Sequence, residues 1–197
     1  MFLAAAMGSR LSARFSVRGI VRTGLLLSAV AILLLLGTIE PTLDDSGFAW
    51  SMAVLGTGMG LIVSQLGNVV QSSVDASGRA EAGGLQFTGQ QLGSSLGVAL
   101  IGAVVLSGLT SVFVTNVQDG ERISAAVAEQ VGVAAGTGLD FVSADQIATA
   151  ATDAGISSQE TDAIVADYES AQLQALKVGL LATGVLVLLS LSSTRNL

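Results

Sequence analysis

The sequence of 197 residues contains no histidine and no cysteine, and Lys177 is its only lysine. These absences exclude imidazole bases, thiol nucleophiles, disulfides and most zinc sites. No phosphate-binding GxxxxGK(S/T) loop surrounds the lysine. We therefore expect a protein that is not an enzyme and that holds no cofactor and no metal ion. A chain with a net charge of -7 is also not expected to bind nucleic acid.

Charged and aromatic residues are also scarce, at 12% and 4% of the chain. Hydrophobic residues make up 51% of it, and the mean hydropathy is +0.72. Soluble domains have about twice this share of charged residues. The composition predicts an integral membrane protein whose main surroundings are the lipid bilayer.

Four apolar runs are each long enough to cross about 30 Å of hydrocarbon as a helix. They cover residues 19–39, 48–70, 84–112 and 175–191. A fifth run, residues 1–8, is too short, and we expect it to be the last two turns of a span whose beginning is missing. The predicted fold is an all-α polytopic membrane helix bundle of about four complete transmembrane helices plus this N-terminal partial span.

This pattern divides the chain into three parts. Residues 1–112 are predicted to be membrane helices, residues 113–174 an acidic extracytoplasmic loop with short helices, and residues 175–197 the last span with a cytoplasmic tail. Four arginines, each four residues after the last, follow the short N-terminal run 1–8. Basic residues in short loops stay preferentially in the cytoplasm. These residues are Arg10, Arg14, Arg18 and Arg22. We expect a multi-pass protein of the plasma membrane with a cytoplasmic C-terminus.

The segment 113–174 carries most of the negative charge but also has signals for helix starts. Ser143 with Gln146, and Ser157 with Glu160, have the spacing of capping boxes. We expect short surface helices, with the last one running directly into the final span. The expected helix separators are Gly120, Gly136, Gly138 and Gly155. Two interpretations remain open for the segment, an outer cap or gate and a variable solvated loop, and the loop is favoured.

Glycines recur at every fourth position in the third complete span, at Gly89, Gly93 and Gly97. This spacing places a smooth strip on one helical face, where a second helix can approach closely. In the second complete span, Gly56 and Gly60 have the same GxxxG spacing. Each of these two spans is therefore predicted to pack against another helix through its glycines.

Polar residues inside the spans are the candidates for a substrate cavity. Gln65 and Asn68 lie three residues apart in the second complete span, and Gln86, Gln90 and Ser94 form a stripe on the third. The stripe could line an aqueous substrate path or form hydrogen bonds between helices near the cytoplasmic rim, and both interpretations stay open. No Asp, Glu, Arg or Lys falls in the middle of a complete span. A proton-coupling carboxylate would have to lie elsewhere.

Two segments resemble a known family. GSRLSARFSVRG, residues 8–19, resembles a degenerate copy of the cytoplasmic motif of major facilitator transporters, with Ser12 and Ala13 where the usual acidic residue is missing. AEAGGLQFTGQQLGSSLGVALIGAVV, residues 80–105, is similar to the penultimate span of fourteen-span drug:proton antiporters of the EmrB/QacA type. The order of this span, a long outer loop and one last span also matches that branch.

The resemblance implies the C-terminal portion of such an antiporter, a bundle of repeated helices that alternates access to a central site. It implies proton-coupled efflux of small amphiphilic compounds of the multidrug type. The N-terminal half, in the same chain or a separate one, would then supply the coupling residues. A small free-standing four-span membrane protein with a structural or accessory role is the alternative, because glycine strips also suit binding to another membrane protein.

Overall fold

A computed structural model describes residues 15–40, 45–120, 122–136 and 138–194, and within these ranges it contains six α-helices and no strand. The helices are α1 (Val17–Thr38), α2 (Asp45–Ser72), α3 (Arg79–Asp119), α4 (Ala125–Gly136), α5 (Ala144–Asp153) and α6 (Ser158–Ser193). Four of them, α1, α2, α3 and α6, are long and apolar enough to cross a membrane. The predicted all-α membrane helix bundle is confirmed, while the partial span 1–8 lies outside the described residues.

Helix α3 is longer than the apolar run that predicted it. It begins at Arg79 rather than at residue 84 and continues to Asp119 rather than ending at residue 112. Its 41 residues make a helix of about 60 Å, roughly twice the thickness of the hydrocarbon core. The extension past residue 112 is possible because residues 113–119, four of which are polar, contain neither proline nor glycine, and the helix ends just before Gly120.

The described residues form two compact units. Unit 1 contains the residues up to Ala99 and those from Leu180 onward, and unit 2 contains Leu100–Gly179. Helices α3 and α6 contribute to both units.

In unit 1, α1 packs against α2 and against the end of α6. A Cβ atom built on Gly184 of α6 would lie 3.5 Å from Cγ2 of Ile32. Ten residues further on, directly after the end of α6, Thr194 Oγ1 accepts a hydrogen bond of 3.1 Å from Nε of Arg22. The two helices therefore run antiparallel, and Arg22 and the last described residue lie at the same end of unit 1.

In unit 2, the end of α3 lies antiparallel to the beginning of α6, and α4 and α5 cover them. The rings of Phe113 and Tyr168 meet edge to face at 5.5 Å between centroids. The buried core consists of Leu109, Phe113, Val117, Ile123, Ala128, Ala135, Ala163, Ile164, Tyr168, Ala171 and Ala175. Most of the segment 113–174 thus belongs to a packed helical unit, which the favoured interpretation as a solvated loop did not anticipate.

The predicted helix signals in this segment are confirmed. Ser143 and Gln146 form a full capping box at the start of α5. Ser157 Oγ accepts the backbone amide of Glu160, and α6 continues from there into the final apolar run without a break. Gly138 and Gly155 occupy the turns before α5 and α6 with φ of 104° and 76°, a backbone conformation that side chains other than glycine rarely adopt.

Candidate functional site

The first half of α3 presents the predicted glycine strip and polar stripe on one face. A rotation of about 100° per residue places Gln86, Gln90 and Ser94 beside the three glycines. Gln86 and Gly97 are half-buried, while Gln90, Ser94, Gly89 and Gly93 are exposed. A Cβ atom built on any of the three glycines would have nothing within 4 Å. Among the described residues, this face is therefore open to a second helix.

Large apolar side chains flank this face and are equally uncovered. Leu85, Leu92 and Leu96 are 77%, 61% and 69% exposed. Only 11% of the most apolar window of α3 is buried, compared with 39% for α1. An apolar surface of this extent must be covered by lipid or by further membrane helices.

The two polar candidates on α2 differ in their surroundings. Gln65 is completely buried, and its Nε2 donates a hydrogen bond of 3.0 Å to Ser64 Oγ. Asn68, three residues further on, is exposed. Both belong to unit 1, but only Gln65 is buried in its interior, so the two side chains do not share one environment.

A close helix contact in unit 1 is made by a pair of glycines, Gly24 and Gly58, that the sequence analysis did not single out. A Cβ atom built on Gly24 of α1 would lie 2.8 Å from the carbonyl oxygen of Gly58 on α2. A Cβ built on Gly58 would lie 2.7 Å from both the carbonyl oxygen of Gly24 and Ser28 Oγ. Gly60 is buried and Gly56 half-buried on the same helix. The small residues Gly24 and Ser28, four apart, were the signal in the sequence that could have located this contact.

The predicted topology residues are only partly within the described chain. Arg10 and Arg14 lie outside it, Arg18 is exposed, and Arg22 is half-buried beside Thr194. The arginine side of α1 and the end of α6 thus meet at one end of unit 1. This is the arrangement expected if the arginine loop and the C-terminal tail lie on the same side of a membrane.

Unit 2 is tied together by polar contacts at the beginning of α6. The carboxylate of Glu160 accepts hydrogen bonds from Ser157 Oγ at 2.7 Å and from Ser124 Oγ and N at 2.7 and 3.1 Å. These bonds, the Ser157 hydroxyl first, lower the pKa of Glu160 to about 2. At pH values above the ordinary pKa of a glutamate, the ionised carboxylate of Glu160 therefore stabilises the fold. This contribution is lost as the pH falls toward about 2.

Two turns further along α6, Asp167 forms an ion pair of 3.0 Å with Arg122. Partial burial raises the pKa of Asp167, and the neighbouring guanidinium opposes this shift. The part of the chain that the structure describes contains no group of three Asp or Glu residues placed to hold a metal ion. In unit 2, the carboxylates of Glu160 and Asp167 connect α6 to the segment that precedes α4.

Helix length, hydropathy and packing define an all-α membrane protein with four helices able to span the bilayer. Over 119 aligned residues the chain is 32% identical to a protein of Streptomyces coelicolor named "Probable actinorhodin transporter". The alignment covers 57% of this chain and 20% of that relative, so the chain matches about a fifth of the relative's length. No protein-family profile matches the chain. No solved structure matches it either.

Proposed function

We propose that this chain is the C-terminal part of a secondary active membrane transporter of the major facilitator type, in the fourteen-span drug:proton antiporter branch. It would export small amphiphilic compounds in exchange for protons. The similarity to a relative named as a transporter supports this proposal, as do the four helices able to span a membrane.

The open face of α3 is the observation that carries the proposal. A helix with glycines every four residues and glutamines beside them suits close packing against other spans and contact with a polar substrate path. Because none of the described residues covers the glycines, the missing N-terminal half of the transporter would supply the partner helices. The small-molecule substrate would pass along Gln86, Gln90 and Ser94.

The proposed orientation places the C-terminus in the cytoplasm and residues 113–174 outside the cell. The bond between Arg22 and Thr194 supports a common side for the arginine loop and the tail, and the arginines favour the cytoplasm for that side. Proton coupling would depend on carboxylates of the N-terminal half, because the apolar runs of this chain have no acidic residue near their centres.

Neighbouring glutamines provide a matched test of the substrate path. In the native full-length product, we expect Gln90→Leu to reduce export of a fluorescent amphiphilic dye by about tenfold, because it removes a polar group from the path. Gln91→Leu makes the same change about 100° away around the helix and is expected to alter export by less than about twofold. Dye accumulation in cells expressing equal amounts of each variant measures the difference.

Two controls make the result interpretable. A protonophore should abolish export by the wild-type protein, and disruption of the gene should raise dye accumulation. Equal effects of the two glutamine substitutions would contradict the proposed path. Unchanged accumulation on disruption would contradict the transporter and favour a small accessory membrane protein.

A further inference from the structure

Unit 2 contains a pocket between α4 and α5. Its volume is about 210 Å³, and Phe113 of α3 and Ile164 of α6 form part of its lining. Both short helices contribute alanine side chains to the walls of the pocket, and these small side chains leave space between the helices. These residues are Ala134, Ala135, Ala150 and Ala151, and Ala154, directly after the end of α5, adds a fifth alanine to the lining. From this geometry we infer that unit 2 binds a neutral aromatic molecule of one or two rings.

The helices that form the pocket are fixed by contacts outside it. Glu160 accepts hydrogen bonds from Ser124, the residue immediately before α4. Two hydrogen bonds from α6 hold the segment before α5. The backbone amide of Val142 donates to the hydroxyl of Tyr168 at 2.9 Å, and the carbonyl of Val142 accepts from Nε2 of Gln172 at 2.8 Å. Because these bonds do not involve the contents of the pocket, its walls are formed before a ligand arrives.

The size and lining of the pocket select the ligand. An apolar cavity of about 150 Å³ is sufficient to bind benzene, so the pocket in unit 2 has space for one ring or a fused pair. Phe113 can contact such a ring directly. Gln130 is the only polar residue among the described lining, where its amide can bond a single hydroxyl or carbonyl group on the ligand.

The charges around the pocket disfavour an anion. None of the described lining residues is charged, so a cation would find no direct partner. Exposed carboxylates are chain neighbours of three lining residues, Glu129 beside Gln130, Asp140 beside Leu139, and Asp153 beside Ala154. Unit 2 has two basic residues: Arg122 pairs with Asp167, and Lys177 is not part of the described lining. The field at the pocket therefore repels a negatively charged ligand.

The test uses the full chain in lipid nanodiscs with ¹³C-labelled alanine methyl groups and 2-naphthol as the probe. We expect the methyl signals of Ala135 and Ala151 to shift and saturate as the probe is added, while the signal of Ala175 in the core stays in place. The anion 2-naphthoate, of similar size, should bind at least about tenfold more weakly. The site-resolved signals distinguish the pocket from dissolution of the probe in lipid.

A matched pair of substitutions on α4 provides the control. Ala134→Leu fills the pocket from an exposed lining position and should weaken binding by about tenfold, whereas Ala126→Leu changes an exposed position outside the lining and should leave binding within about twofold. An unchanged Ala175 signal shows that each variant is folded, and Ala150→Leu repeats the test from α5. The inference is overturned if the Ala135 and Ala151 signals do not saturate, or if both lining variants bind like the wild type. It stands on unit 2 alone, so its failure would leave the proposed transport function untouched.

Discussion

Tyr168→Ala is expected to unfold unit 2 while leaving the contact between α1 and α2 intact. Tyr168 is fully buried, and its ring packs edge to face on Phe113. Its hydroxyl accepts from the amide of Val142 and donates to the carbonyl of Asp140, both at 2.9 Å. Removal of a buried aromatic side chain typically costs about 3–5 kcal/mol, and the amide of Val142 would also lose its partner. Hydrogen exchange of the backbone amides in α4 and α5 measures the loss of structure.

Two further variants separate the ring from the hydroxyl. Tyr168→Phe keeps the ring and should cost about 1–3 kcal/mol, seen mainly as faster exchange at residues 140–142. Phe141→Ala removes an aromatic side chain that is 48% exposed in the same segment, so it should have little effect. If Tyr168→Ala exchanged its amides no faster than Phe141→Ala, the packed core described for unit 2 would be wrong.

Gly58→Ala should separate α1 from α2, because the new methyl group has no space. It would lie 2.7 Å from the carbonyl oxygen of Gly24, a backbone atom that can move only if the helix moves. Overpacking of this kind costs about 1–3 kcal/mol. Denaturation of the purified protein in detergent, followed by the fluorescence of the single tryptophan, Trp50 on α2, measures the change.

Gly67→Ala is the matched control on the same helix. A Cβ atom there would meet nothing within 4 Å. Since alanine favours a helix interior over glycine by about 0.5–1 kcal/mol, this variant should be slightly more stable than the wild type. The two substitutions are thus expected to change stability in opposite directions. A loss of equal size at both positions would show that the Gly24–Gly58 contact does not hold the helices together.

The helices could be predicted from sequence better than the contacts between them. Apolar runs located all four long helices, and the serine caps located the starts of α5 and α6. The far end of α3 was missed because hydropathy reports the part of a helix that suits lipid, whereas the helix itself continues through a mixture of polar and apolar residues to Asp119.

The core of unit 2 could not be predicted in part because five of its eleven buried residues are alanines. Ala163, Ala171 and Ala175 are buried by packing within unit 2, as where Ala175 lies beside Gly108 of α3, and nothing in their own segment indicates those neighbours. The glycine contact in unit 1 was missed for a similar reason. A GxxxG pattern identifies a smooth face on one helix, but the register that brings Gly58 to Gly24 depends on both helices. The role of the α3 face stays a prediction, because the helix that would cover it is not among the described residues.

The proposal that this chain is part of a larger exporter is tested most directly by the size of the native gene product. A tag placed after Leu197 at the chromosomal gene, followed by a blot of the membrane fraction, reports that size. A fourteen-span transporter with about 20 residues per span plus loops should appear well above about 40 kDa. A single band near 19.7 kDa, the mass of these 197 residues, would contradict a continuous exporter chain. If such a product also co-purified with no other membrane protein, a separately encoded N-terminal half would be excluded as well.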